Sequence, residues 1–149
     1  MKVAGSYSLP VPVERAYALL QDPDALAKCI PGCEGLDRVA EDDYAMRMKM
    51  GIASISGRFD GKVRISEKNP PVSFRMSVEG AGKIGFMKGD GVISLAAADS
   101  GSNVQFDGDV QVGGTIANVG QRLIETTAKM IIKRFFDCLA QNCLPTGPP

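Results

Sequence analysis

Between Tyr44 and Val112 apolar residues recur at every second position, and this alternation constrains the fold more than any other feature of the chain. In YAMRMKM, Tyr44, Met46, Met48 and Met50 share one face while Arg47 and Lys49 take the other. RFDGKVRI sets Phe59, Val63 and Ile65 against Arg58, Asp60, Lys62 and Arg64, and VSFRMSV sets Val72, Phe74, Met76 and Val78 against Ser73, Arg75 and Ser77. VQFDGDVQV repeats the pattern with Val104, Phe106, Val110 and Val112. A period of two over successive runs means strands with one dry and one wet face. Turn-forming clusters separate them at Glu41-Asp42-Asp43, Lys68-Asn69-Pro70-Pro71 and Asp99-Ser100-Gly101-Ser102, so the runs read as an antiparallel meander with a single buried face.

That face needs a cover, and the last segment supplies it. From GGTIANVG to FFDCLAQN the period changes to 3.6. At about 100° per residue, Ile116, Val119, Leu123, Ile124, Met130, Ile131, Phe135 and Cys138 fall in one wide arc, with Arg122, Glu125, Lys129 and Lys133 opposite. Ile132 and Phe136 lie outside this arc, toward the charged side. The helix is expected to end before Pro145, leaving a short Pro/Gly tail at 145–149 after a single domain at 1–144.

The start of the chain adds one strand and two short helices. Val3 to Leu9 reads as a strand stopped by Pro10 and Pro12. Val13, Ala16, Tyr17 and Leu20 then have helical spacing. Asp22 is an N-cap with Pro23 at the first position of a second helix, whose apolar side carries Leu26 and Ile30. Pro31 and Gly32 end it. Cys29 therefore sits on the last helical turn and Cys33 opens the next strand, which makes them small apolar fillers at a corner.

Composition removes several chemistries. There is no histidine, so no imidazole can act as general base, metal ligand or switch. Lysine plus arginine number 17 and aspartate plus glutamate 17, so no global field selects nucleic acid or an anionic surface. No apolar run reaches the roughly 18 residues of a membrane span, and MKVAGSYSLPV lacks a secretory core. The chain reads as cytosolic, and the four cysteines are expected to be reduced. Their gaps of three and four residues (Cys29/Cys33 and Cys138/Cys143) do not match the paired two-residue gaps of zinc ribbons, so no metal site is expected. GAGKIGFMKGDG lacks the Lys-Ser/Thr ending of a P-loop.

A large twisted sheet curls into a half-barrel, and a helix laid across it leaves volume beneath. Two features indicate that side chains do not fill this volume completely. Glycines are dense where helix and strands meet (Gly80, Gly82, Gly85, Gly89, Gly91, Gly113, Gly114, Gly120), and Met46, Met48 and Met50 stand inward in succession. The glycines serve equally as bends that curve the sheet. Methionine is a common core filler, yet a stripe of it reshapes around an apolar guest.

The runs DPDAL through CIPGCEGL, GRFDGKVRISEKNPP, GFMKGDGVISL and VGGTIANVGQRLIETTAKMIIKRFFDCL resemble the CoxG family of carbon monoxide dehydrogenase accessory proteins, within the START-like or SRPBCC helix-grip superfamily. The resemblance spans nearly the whole chain. It implies an α+β helix-grip fold, a curved antiparallel sheet of about seven strands around a long C-terminal helix, with two short helices after the first strand. It also implies a non-catalytic accessory protein of an aerobic molybdenum carbon monoxide dehydrogenase or related hydroxylase, peripheral to the inner face of the cytoplasmic membrane. Many members carry a C-terminal extension beyond the helix-grip domain, and the resemblance implies such an extension, absent from this sequence, as a route to the membrane.

Joined to the hollow interior, the resemblance leads to a carrier for a respiratory quinone, menaquinone or ubiquinone, with no other cofactor required. The expected wall is Leu26, Ile30, Met46, Met48, Met50, Phe59, Phe74, Met76 and Phe86, under a roof of Ile116, Val119, Leu123, Ile124 and Thr127. Tyr17 and Thr127 are the hydroxyls nominated to meet a quinone oxygen. Two rival readings remain open. A small cyclase or hydrolase acting on a hydrophobic substrate would need Glu79, Asp90 or Glu125 turned inward. A protein-docking adaptor would use Ile132 and Phe136 as its patch, although packing of Phe136 against the first strand explains it equally well.

Overall fold

The computed structural model describes residues 1–52 and 55–142. Seven strands form one antiparallel sheet: β1 (Lys2–Leu9), β2 (Cys33–Ala40), β3 (Asp43–Ile52), β4 (Ile55–Asn69), β5 (Ser73–Gly82), β6 (Gly85–Ala98) and β7 (Gly101–Gly113). Their order is β1-β7-β6-β5-β4-β3-β2, a continuous meander from β2 to β7 with the N-terminal strand added beside the last. The two edges are therefore β1 and β2. Two helices, α1 (Val13–Leu19) and α2 (Pro23–Cys29), follow β1, and α3 (Gln121–Asn142) ends the described chain. The expected tail at 145–149 and Cys143 lie outside the described residues.

Local chemistry explains the elements. The Asp22 carboxylate accepts the Asp24 N–H at 3.0 Å, with Pro23 opening α2 as expected. Gly32 follows with φ of 81°, and a Cβ there would stand 2.3 Å from the Lys49 carbonyl oxygen, so the corner admits only glycine. The wet face carries exposed ion pairs, Arg47–Asp37, Arg64–Asp43 and Arg75–Asp90 across neighbouring strands and Arg58–Glu34 reaching over β3 from β4 to β2. The dry face carries the core, in which Phe74, Val63, Val104, Leu9, Leu20, Leu26 and Leu139 are fully enclosed.

The structure departs from the sequence reading at several points. Residues 115–119 form a separate 3-10 turn, cut from α3 by Gly120 at φ 99°, so Ile116 and Val119 belong to this turn and not to the long helix. Val72 falls in the turn before β5 and is half exposed, because the strand pairing begins only at Ser73. Of the two readings of Phe136, the docking patch is the one that gives way: its ring is 4% exposed and packs against the first strand, stacking on Tyr7 of β1 with ring centroids 4.2 Å apart, and Ile132 packs partly against the same core. α3 runs beside β1, so a wider arc of the helix is covered than the sheet alone would cover.

A further departure concerns the thiols, expected to be reduced. Cys29 and Cys138 form a disulfide, with Cα atoms 5.4 Å apart. The end of α2 packs against the last turns of α3, which brings together two cysteines 109 residues apart. Only Cys33 is a free thiol among the described residues. Burial, the largest influence, raises its pKa above the ordinary value, partly offset by its hydrogen bond to the Gly35 carbonyl and by Arg47.

Candidate functional site

The inner face of the sheet is unevenly covered. At one end α1 seals it: the Tyr17 ring meets Phe74 edge-on at 5.4 Å, and the Tyr17 hydroxyl donates to the Ser73 carbonyl at 3.0 Å. That hydroxyl is thus held by the β5 backbone. Toward the middle, Met46, Met48, Met50, Phe59, Leu26 and Ile116 are buried. Ile30, Met76 and Val119 are half-buried against them. Among the described residues no three metal-capable side chains gather.

Coverage is incomplete on the inner face of β5, β6 and β7, near the 3-10 turn that precedes α3 and contacts β6 and β7. Register fixes the inward positions there: Gly80 pairs with Met87, Val78 with Gly89, Gly89 with Val110, and Met87 with Val112. Val78, Met87, Val110 and Val112 are only partly buried. An ideal Cβ placed on Gly89 meets no atom within 4 Å among the described residues. In the first half of α3, Leu123 and Ile124 are half-buried and Thr127 is buried. The buried residues of α3 otherwise lie in its second half, at Phe136 and Leu139. The second half of α3 is held by its buried residues and by the bond to α2, and its first half carries one buried residue, Thr127.

Phe86 is the one expected wall residue on the wrong side. It is 43% exposed on the outer face, beside Asp60, Lys62, Glu79 and Lys88 around a shallow open depression. The reason is the β5–β6 turn. Gly82 pairs with Gly85 across only Lys83 and Ile84, so the inward parity passes from Gly80 to Met87 and not to Phe86. Sequence reasoning therefore misses Met87, and it puts Val78, Val110 and Val112 on the dry face and Gly89 among the glycines near the helix without assigning them to the wall. The signal for Met87 is the pair of glycines bracketing a two-residue turn.

Ile84, at that turn, folds toward the interior. Its carbonyl accepts the Ile116 N–H at 2.7 Å, and its side chain lies where a Cβ on Gly57 would be in contact. The three candidate acids do not face the gap. Asp90 is on the outer face, accepting from Arg75 and Ser77, Glu79 is exposed, and Glu125 pairs with Lys129 at 2.9 Å.

The arrangement of one curved sheet gripping one long helix can be compared with known proteins. A family model described as a carbon monoxide dehydrogenase subunit (CoxG) matches residues 5–143. The chain belongs to the CoxG family. A conserved protein from Geobacillus kaustophilus is 33% identical, with 96% of this chain and 95% of that one covered and a TM-score of 0.91. More distant structures share the CoxG chain's fold alone. A Thermus thermophilus protein is 16% identical with TM-score 0.70, covering 96% of this chain and 97% of that one. The di-domain ARO/CYC protein StfQ of the steffimycin biosynthetic pathway is 8% identical with TM-score 0.66, and 94% of this chain matches 50% of that one. No curated protein matches the chain. No helix among the described residues is long and apolar enough to cross a membrane.

Proposed function

We propose that this protein is a non-catalytic accessory component of an aerobic molybdenum carbon monoxide dehydrogenase, or of a related hydroxylase, and that it carries a hydrophobic ligand, a respiratory quinone, in the space between the sheet and α3. Membership of the CoxG family supports the association with the dehydrogenase. The observation that carries the ligand reading is the unfilled position over Gly89, ringed on the inner face by half-buried Val78, Met87, Val110 and Val112.

Such a surface binds by excluding water from hydrocarbon. Hiding about 400 Å2 of an isoprenoid tail is worth on the order of 10 kcal/mol before ordering costs, at about 25 cal/mol per Å2. Met46, Met48, Met50, Met76 and Met87 suit this role, since unbranched thioethers change rotamer at little cost as the guest's shape varies. Thr127 is the inward hydroxyl available to a quinone oxygen, because Tyr17 already donates to Ser73. The outward placement of Asp90 and the ion pairing of Glu125 support a carrier over a hydrolase or cyclase, which needs an acid or base against its substrate. Shielding a quinone between bilayer and enzyme would link the dehydrogenase to the inner face of the cytoplasmic membrane.

The test is organic extraction of the purified protein followed by mass spectrometry. The expected result is a quinone or another lipid recovered in near-stoichiometric amount. Recovery of no lipid, together with no saturable uptake of menaquinone or ubiquinone analogues, would remove the carrier reading.

A further inference from the structure

We infer that the Cys29–Cys138 disulfide is a redox latch that joins the two jaws of the grip and sets how readily the space beneath α3 opens; this rests on the ligand reading above. The argument begins with placement. α2 packs on β2, one edge of the sheet, and α3 packs on β1, the other edge. The bond between Cys29, the last residue of α2, and Cys138 of α3 therefore ties together the elements seated on opposite edges of an open half-barrel. The same α2 leads directly into Ile30 and the Gly32 corner beside Lys49, which flank the buried methionines of β3.

The other end of α3 is built to swivel. The 3-10 turn Thr115–Val119 is bracketed by Gly114 at φ 83° and Gly120 at φ 99°, and a Cβ on Gly120 would meet nothing within 4 Å. The first half of the helix carries little buried surface, so its hold on the sheet depends on what fixes the second half. The disulfide is the covalent part of that hold.

The chemistry is a two-electron exchange with a dithiol. Cys138 is partly exposed and Cys29 is 3% exposed, so an incoming thiolate attacks the Cys138 sulfur and expels the Cys29 thiolate, which takes up a proton. The second thiol of the reductant then attacks its own mixed disulfide and releases Cys138 as a thiol. The protein gains two electrons and two protons, and the reductant becomes a disulfide. Cys29 is a poor leaving group, buried at a helix C-terminus where the dipole disfavours negative charge. The latch therefore stays closed to monothiols and opens to dithiols.

The experiment compares the oxidised protein, the same protein reduced with dithiothreitol, and Cys138→Ser, using hydrogen exchange by mass spectrometry and stopped-flow release of bound decylubiquinone. The latch predicts faster exchange in α2, the 3-10 turn and α3 on reduction, with β4 to β7 unchanged, and release faster by about tenfold. Equal exchange in both states, a rise spread evenly over the sheet, or an unchanged release rate would overturn it. If decylubiquinone binds neither form, the carrier reading fails, and the exchange pattern alone decides whether the bond latches α3.

Discussion

Removing the Cys29–Cys138 bond should cost stability in proportion to the loop it closes. The cysteines are 109 residues apart, and cross-linking a loop of about 100 residues is worth at most about 4.7 kcal/mol through the lost freedom of the unfolded chain. Measured effects more commonly fall at about 2–4 kcal/mol. For 149 residues, unfolding entropy of about 2.1 cal/mol/K per residue gives about 0.31 kcal/mol/K at the midpoint. Tm should therefore fall by about 6–13 °C on reduction. That loss is within the roughly 5–15 kcal/mol by which domains are stable, so the reduced protein should remain folded. The assay is a thermal melt followed by circular dichroism, with and without dithiothreitol, on the wild type and Cys138→Ser. The wild type should drop to the variant's Tm when reduced, and the variant should not respond. A wild-type Tm that moves by less than about 2 °C on full reduction would refute the loop-closure reasoning.

Phe136→Ala should destabilise the fold by about 3–5 kcal/mol in urea titrations, because the ring is buried against Tyr7 and Phe135. Phe86→Ser, on the opposite face of the sheet, should change stability by less than about 0.5 kcal/mol and leave quinone binding unaltered, as measured by the same titration and by fluorescence quenching. Burial first, and Asp137 second, raise the Tyr7 pKa above its ordinary 10.0, with Lys133 opposing. The unfolded chain thus loses this proton before the folded one does. Stability should fall as pH climbs from about 10 through the folded pKa, and the decline should be shallower in Tyr7→Phe when denaturation midpoints are plotted against pH.

The sheet is legible in the sequence because its parity runs unbroken through long strands: Tyr44, Met46, Met48 and Met50 alternate with charge, and nothing in β3 interrupts them. The Asp22-Pro23 helix start is equally legible, being decided by local bonds. What the sequence hides depends on distant neighbours or on a turn. Phe86 changes face because a two-residue hairpin between Gly82 and Gly85 resets the parity. Phe136 lies off the arc drawn for a helix on a sheet, and its partner, Tyr7, enters from the far end of the chain. The disulfide joins residues whose proximity arises only once α2 and α3 have packed, so spacing within each cysteine pair points elsewhere. In the candidate site, the methionine stripe is readable, but the open position over Gly89 requires the register of three strands.

The space over Gly89 is most directly tested by filling it. Isothermal titration of decylubiquinone into the wild type and into Gly89→Leu compares the same protein with and without a side chain at an inward position that meets no neighbour among the described residues. The account predicts saturable one-to-one binding by the wild type, weakened by at least about tenfold in a variant that still melts cooperatively. Equal affinity in the two proteins, or heat of dilution alone in both, would contradict it.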